Sequence, residues 1–229
     1  MNSLDIYSRQ APIQLSVPHH VLVAGVGGVG SWVSILLTLS GVKKISLFDM
    51  DIVDITNLNR TLFTIEDVMQ NKAVVMKEKL LKLRPESIVF AYPIQVLPGL
   101  LTSDYNAVLD CTDDYKVQRE LYTECIKKGI EYIRAGYNGL DHFTITGVVP
   151  GWEVTEQLEQ QEHSDGEHND ECNQRYTITP SWAAPAMLTA VLAVARLLKY
   201  KDLEVMGKCF EMLSNHTQRK TEYGACEAP

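Results

Sequence analysis

The stretch Val21-Leu22-Val23-Ala24-Gly25-Val26-Gly27-Gly28-Val29-Gly30 decides the fold. An apolar run enters a glycine cluster, and from Ser31 to Ser40 the apolar positions recur at helical spacing. A short run with no polar face reads as a strand buried on both sides. Strand, loop and helix therefore follow one another without a gap. Gly25, Gly27 and Gly30 spell G-x-G-x-x-G, with Gly28 as an additional glycine. Such a loop turns sharply and lets the backbone approach a phosphate, while the helix N-terminus offers N–H donors and a positive dipole.

Downstream, Lys44 to Asp49 (KISLFD) reads as a second strand. Asp49 ends it about two dozen residues past Gly25, where a carboxylate is placed to accept bonds from ribose hydroxyls. Asn71 to Leu83 has helical periodicity and a stop at Arg84-Pro85. Ser87 to Ala91 and Ala107 to Leu109 give two further strands, and Lys116 to Lys128 a helix ended by Gly129. Tyr132 to Ala135 and Phe143 to Val149 are strands, and Trp182 to Tyr200 is an apolar helix. This alternation predicts an α/β fold: a doubly wound, Rossmann-like, mainly parallel sheet with helices on both faces. One domain over residues 1–229 is expected. Residues 153–175 form an acidic, flexible crossover loop and residues 214–229 a loosely ordered tail.

The chain carries a formal net charge of −8, which opposes general binding to nucleic-acid phosphates. Its opening residues lack a basic-then-apolar leader, and the longest apolar run, Trp182 to Ala195, is too short for a bilayer. The five cysteines are odd in number and scattered, which fits a reduced, cytoplasmic compartment. On these grounds alone a nicotinamide-dependent oxidoreductase, or a scaffold that only binds nucleotide, fits as well as any nucleotide-using enzyme.

The following segments separate those readings. Tyr7-Ser8-Arg9-Gln10 precedes the first strand, Asp51-Ile52-Val53 and Thr56-Asn57-Leu58-Asn59-Arg60 follow Asp49, and Lys72 stands in Gln70-Asn71-Lys72-Ala73. Asp110-Cys111-Thr112-Asp113 closes the fourth strand. In this order and spacing the set resembles the ThiF/MoeB/HesA adenylyltransferases, relatives of the ubiquitin-activating enzymes, from Tyr7 to about Tyr200. The resemblance implies ATP-dependent activation of a carboxylate as an acyl-adenylate. It places Gly25, Gly27, Gly28, Gly30, Asp49, Asn57, Arg60 and Lys72 on the nucleotide, with Asp49 at the ribose and the last three at the triphosphate. It places Asp113 on Mg²⁺, and makes Arg9 the arginine that a second copy inserts into the site, so a homodimer is implied.

The chemistry of the residue types agrees. Transfer of an adenylyl group rests on positioning and on cations that neutralise phosphate charge. Arg60 and Lys72 supply two, and Asp113 is a hard oxygen ligand suited to Mg²⁺. Asp110 reads as a strand-end or turn residue, and Asp51 equally as a site residue or a cap.

Many members of the family hold a structural zinc on two C-x-x-C pairs, which this chain lacks, so no zinc is expected. His163, His168 and Cys172 lie close together in sequence, but isolated histidines in a polar loop read as solvated rather than as metal ligands. Some members carry an acyl-accepting cysteine before the last helix. Cys172 fits that position, with Asp170 and Glu171 raising its pKa against a partial offset from Arg175. Cys111 reads as a packing residue. Several carboxylates remain open as substrate: the C-terminal glycine of a small ubiquitin-like or sulfur-carrier protein is the leading partner. A ribosomal peptide and a threonylcarbamoyl group on tRNA are the alternatives. Gly28-Val29-Gly30-Ser31-Trp32 is similar to the tRNA branch, Tyr7-Ser8-Arg9-Gln10 to the protein activators.

Overall fold

Consecutive β-α-β units carry the chain across one six-stranded sheet in a computed structural model that describes residues 6–137, 143–147 and 181–200. The strands are β1 (His20–Ala24), β2 (Lys44–Phe48), β3 (Ile88–Tyr92), β4 (Ala107–Asp110), β5 (Glu131–Tyr137) and β6 (Phe143–Gly147). Their order is β3-β2-β1-β4-β5-β6. β1 to β5 run parallel, whereas β6 pairs antiparallel with β5, Ile133 standing opposite Gly147. The order reverses between β1 and β4. Beyond the carboxyl ends of the strands at such a reversal is the place where doubly wound sheets bind ligands.

Helices α1 (Gly28–Leu39), α2 (Lys72–Leu83), α3 (Tyr115–Lys128) and α4 (Ala183–Leu197) cover the sheet. Two apolar cores result. One joins Val21, Val23, Ile45, Leu47 and Leu109 to α1, α2 and α4; the other joins Leu22, Val108, Leu121 and Tyr132 on the α3 side. Alternate residues of β1 thus feed opposite cores, which is why the strand has no polar face. Helix α4 buries Ala186, Ala190 and Ala193, and these small side chains let it lie close against α1 and β5. Helix α3 ends where expected, at Gly129, whose φ of +66° is the left-handed region that glycine tolerates.

One boundary differs from expectation. Helix α1 begins at Gly28 rather than Ser31, so the second half of the glycine motif is helical. Only Gly25, Val26 and Gly27 form the loop. The acidic loop 153–175, the tail 214–229, and Cys172, Cys209, Cys226, His163 and His168 lie outside the described residues.

Candidate active site

The glycine loop is shaped by contacts that admit no side chain. Gly25 has a φ of +80°, and a Cβ there would stand 2.9 Å from the Cys111 carbonyl oxygen and 3.2 Å from the Thr112 nitrogen. A Cβ on Gly30 would fall 1.8 Å from the Gly25 oxygen. Among the described residues nothing lies within 4 Å of a Cβ built on Gly27, the N-cap of α1, and no side chain caps the helix, so its first N–H groups are left for a ligand.

Two buried acids stand at the ends of the flanking strands, and one of them, Asp49, fastens this loop. Asp49 ends β2, accepting the Val26 N–H at 2.6 Å and the Asp51 N–H at 2.9 Å. Burial raises its pKa, with these bonds and the charge of Lys72 opposing the rise. Asp110 ends β4 with no exposure. Its Oδ1 accepts the Thr112 N–H at 3.0 Å and hydroxyl at 2.7 Å, and its Oδ2 accepts the Tyr132 hydroxyl at 2.8 Å. Desolvation raises its pKa, and the donors only partly offset that. Asp110 thus ties the turn at Thr112 to the neighbouring strand β5. Three residues on, Asp113 is exposed, next to the Thr112 whose backbone meets Gly25.

The cations stand on the other side. Lys72 is the first residue of α2, where the helix dipole disfavours a positive charge. Its side chain is 12% exposed, and its ammonium pairs with Asp51 at 2.8 Å. Asn71 caps α2 through Val74, and its amide donates to the carbonyl oxygens of Asp49 and Asp51 at 2.9 and 3.0 Å. Lys72 is thereby tied to the end of β2. Arg60 lies over the loop: a Cβ on Gly28 would meet its Cδ at 3.3 Å. Its guanidinium donates to the Thr56 oxygen at 2.5 Å and to Asn59 Oδ1 at 3.0 Å, while Trp32 Nε1 donates to its carbonyl at 2.9 Å. Asn57 uses its side-chain oxygen in a capping box with the Asp54 N–H at 3.0 Å.

The structure therefore brings Gly25, Gly27, Gly28, Gly30, Asp49, Asn57, Arg60 and Lys72 together beyond the ends of β1 and β2, and Asp113 follows the end of β4. Arg9 is elsewhere. The Tyr7 ring covers Gly41, and Gln10 donates to the Ser40 carbonyl at 2.8 Å, so the Arg9 segment sits at the far end of α1, about 18 Å of helix from the loop. Three further residues join the site: Asn71, Tyr137 and Ser181. The Tyr137 hydroxyl lies 3.4 Å from a Cβ built on Gly28 and bonds the Ser181 hydroxyl, and Asn59 donates to the Ser181 carbonyl at 2.8 Å. Asn71 was findable as an Asn just before a helical run; Tyr137 and Ser181 carry no local signal.

Cys111 is partly buried against the core, and burial together with the Asp110 carboxylate pushes its thiol well above the usual range. It packs and stays protonated. The residues fit Mg²⁺ in its usual manner, one or two carboxylates with the remaining positions left to water and substrate phosphates. Asp113 offers such a carboxylate. Among the described residues no group of three or more His, Cys, Asp or Glu side chains is placed to hold a metal, and no helix is long and apolar enough to cross a membrane.

Comparison with known proteins agrees with this geometry. The chain is 33% identical over 139 residues to the tRNA threonylcarbamoyladenosine dehydratase of Escherichia coli strain K12, covering 58% of this chain and 52% of that protein. It thus spans about half the length of that relative, and 48% of the Haemophilus influenzae counterpart. It is 32% identical over 168 residues to the sulfur carrier protein ThiS adenylyltransferase of E. coli strain K12, covering 67% and 66% of the two chains. The crystal structure of E. coli MccB with AMPCPP and MccA matches with a TM-score of 0.64 and 27% identity, over 80% of this chain and 55% of that one. E. coli TcdA shares the fold, with a TM-score of 0.60 at 24% identity over 91% and 94% of the two chains. The ThiF family itself matches residues 13–226, nearly the whole chain, and this protein belongs to that family.

Proposed function

We propose that this protein uses ATP to adenylate a carboxylate, the C-terminal glycine of a small ubiquitin-like or sulfur-carrier protein, and releases pyrophosphate. The observation that carries this is the pairing of Arg60 over Gly28 with Lys72 anchored beside Asp49, two cations flanking one open helix N-terminus. Hydride transfer has no use for that second charge. The ThiS adenylyltransferase is a relative whose named substrate is a sulfur carrier protein, which supports the choice of partner.

In this reading a carboxylate oxygen of the substrate attacks the α-phosphorus of ATP. The new oxygen–phosphorus bond replaces the bond to the β-phosphate, and pyrophosphate leaves with that electron pair. The open N–H groups of α1 hold phosphate oxygens, and Asp49 keeps the loop that presents them in place. Arg60 and Lys72 exchange their present partners, Thr56, Asn59 and Asp51, for the negative charge that grows on the leaving group. Asp113 would hold Mg²⁺, which supplies further neutralisation of that charge. Arg9 cannot reach the site of its own chain, so it enters from a second copy in a homodimer. The Cys172 thiol, giving up its proton, would then form a thioester with the acyl carbon, and AMP would leave with the electron pair of the broken carbon–oxygen bond. The compartment is the cytoplasm.

A second reading is activation of the threonylcarbamoyl carboxylate on tRNA, favoured by the identity to the tRNA dehydratase. The net charge of −8 weighs against it. Incubation with ATP, Mg²⁺ and a β-grasp protein ending in Gly-Gly, followed by mass spectrometry, decides between them. A mass increase of one AMP on that protein is expected, falling by about a hundredfold or more in Arg60→Ala and Asp113→Ala. An AMP adduct only on tRNA would select the second reading, and binding of NAD without ATP would refute both.

A further inference from the structure

We propose that Asp110 is a positioning residue of the nucleotide site, setting at once the turn that presents Asp113 and the backbone wall against which Gly25 is packed. The proposal rests on the adenylation reading and adds to it a residue that touches no substrate. Three observations converge on it. The carboxylate is completely buried and spends its bonds on Thr112, through both the N–H and the hydroxyl, and on the Tyr132 hydroxyl. The same Thr112 is held from the opposite side, where Gln118 of α3, itself 1% exposed, donates to its carbonyl at 2.5 Å. The segment so clamped is the one that meets Gly25: the Cys111 oxygen and the Thr112 nitrogen are the atoms a Gly25 side chain would strike, and the Cys111 N–H donates to the Ala24 carbonyl at 2.8 Å.

The physical argument is one of cost. An ionised carboxylate buried without exposure is unfavourable even when bonded, and a plain strand end needs none. What the buried acid supplies is rigidity: with Thr112 fixed at its N–H, hydroxyl and carbonyl, the next residue, Asp113, leaves the turn in one direction. Thr112 couples that direction to the height of the glycine loop. Loss of Asp110 therefore loosens the metal-binding acid and the phosphate loop together.

Calorimetry of ATP binding to the full chain, with and without Mg²⁺, tests this. A general loss of stability lowers the midpoint of unfolding but leaves the gain in ATP affinity on adding Mg²⁺ intact in the folded fraction. A positioning role erodes that gain. Asp110→Ala is expected to reduce it about tenfold, in the range typical for residues that orient a metal ligand, as Asp113→Ala also does. Asp110→Asn, which keeps an acceptor for Thr112, restores part of it. Thr112→Val should show a smaller loss that Thr112→Ser repairs, and this pair decides the matter if Asp110→Ala does not fold. Wild-type dependence on Mg²⁺ in folded Asp110→Ala, or in Thr112→Val where that variant must serve, overturns the proposal and leaves the adenylation reading standing. A wild-type chain that binds no ATP overturns both.

Discussion

The two ends of β1 use similar residue types for opposite purposes. At its first residue His20 is 3% exposed, with Nδ1 3.0 Å from Asp104 and Nε2 2.9 Å from the hydroxyl of Ser46, itself fully buried. Lys44 also bonds Asp104, at 2.5 Å, and the Tyr105 ring lies against the imidazole. The connectivity of Ser46, His20 and Asp104 is that of a hydrolytic triad, yet no substrate reaches a serine with no exposed surface. At the other end Asp49 and Asp110 are also buried, but each accepts backbone N–H groups of the segments that follow the strands, those of Val26 and Asp51 for Asp49 and that of Thr112 for Asp110. Beyond those segments stand Arg60, Lys72 and Asp113. Buried polar groups alone do not mark a site; a site appears where they support backbone that faces open space.

The largest effect that would break this contrast lies in the glycine loop. Gly30→Ala places a methyl where only 1.8 Å separates it from a backbone oxygen, and a loss of about 3 kcal/mol or more in urea unfolding is expected. Gly27→Ala meets nothing within 4 Å. It should lose less than about 1 kcal/mol as an N-cap change, while ATP affinity falls at least tenfold because the methyl fills the space a phosphate needs. Equal stability losses in the two variants would remove the distinction between a packing glycine and a ligand-facing one.

An intermediate effect is expected at the opposite end. His20→Gln breaks the bonds to Ser46 and Asp104 and should cost about 2 kcal/mol at neutral pH. ATP binding by the folded fraction should be unchanged. A variant that folds well but binds ATP poorly would show the two ends to be coupled through β1.

The sequence makes the two ends unequally legible. The glycine loop, the strands around it and the helix stops are local patterns, and each appears where the periodicity places it. Asp49 is legible as a strand-end acid, but its hold on the Val26 N–H depends on β1 and β2 lying side by side. Lys72 reads as a face charge until its position at a helix N-terminus beside Asp51 is known. Tyr137 and Ser181 meet over Gly28 only because β5 and α4 converge there, and the His20 cluster joins three segments with no motif between them. What escapes the sequence is pairing between elements.

The smallest effect is the sharpest, because the two ends should respond to acid with opposite sign. Burial, aided by the charge of Lys44, lowers the pKa of His20 below its ordinary 6.5, with Asp104 opposing. As pH falls through 6.5 the unfolded chain takes up a proton that the folded chain refuses, so stability is lost until the lower folded value is reached. Asp110 behaves in reverse. Its folded pKa lies above the ordinary 3.8, so on acidification the folded chain takes up the proton first, and stability is gained until pH reaches 3.8. Urea unfolding of the wild type, His20→Gln and Asp110→Asn between pH 7.5 and 4 separates the two. His20→Gln should lose stability less steeply below pH 6.5, by at most about 1.4 kcal/mol per pH unit, the limit for one proton. Asp110→Asn should lose it more steeply, since the opposing gain is gone. Parallel pH curves for all three proteins would mean that neither buried group titrates apart from its unfolded counterpart, and the electrostatic difference between the two ends of β1 would then rest on geometry alone.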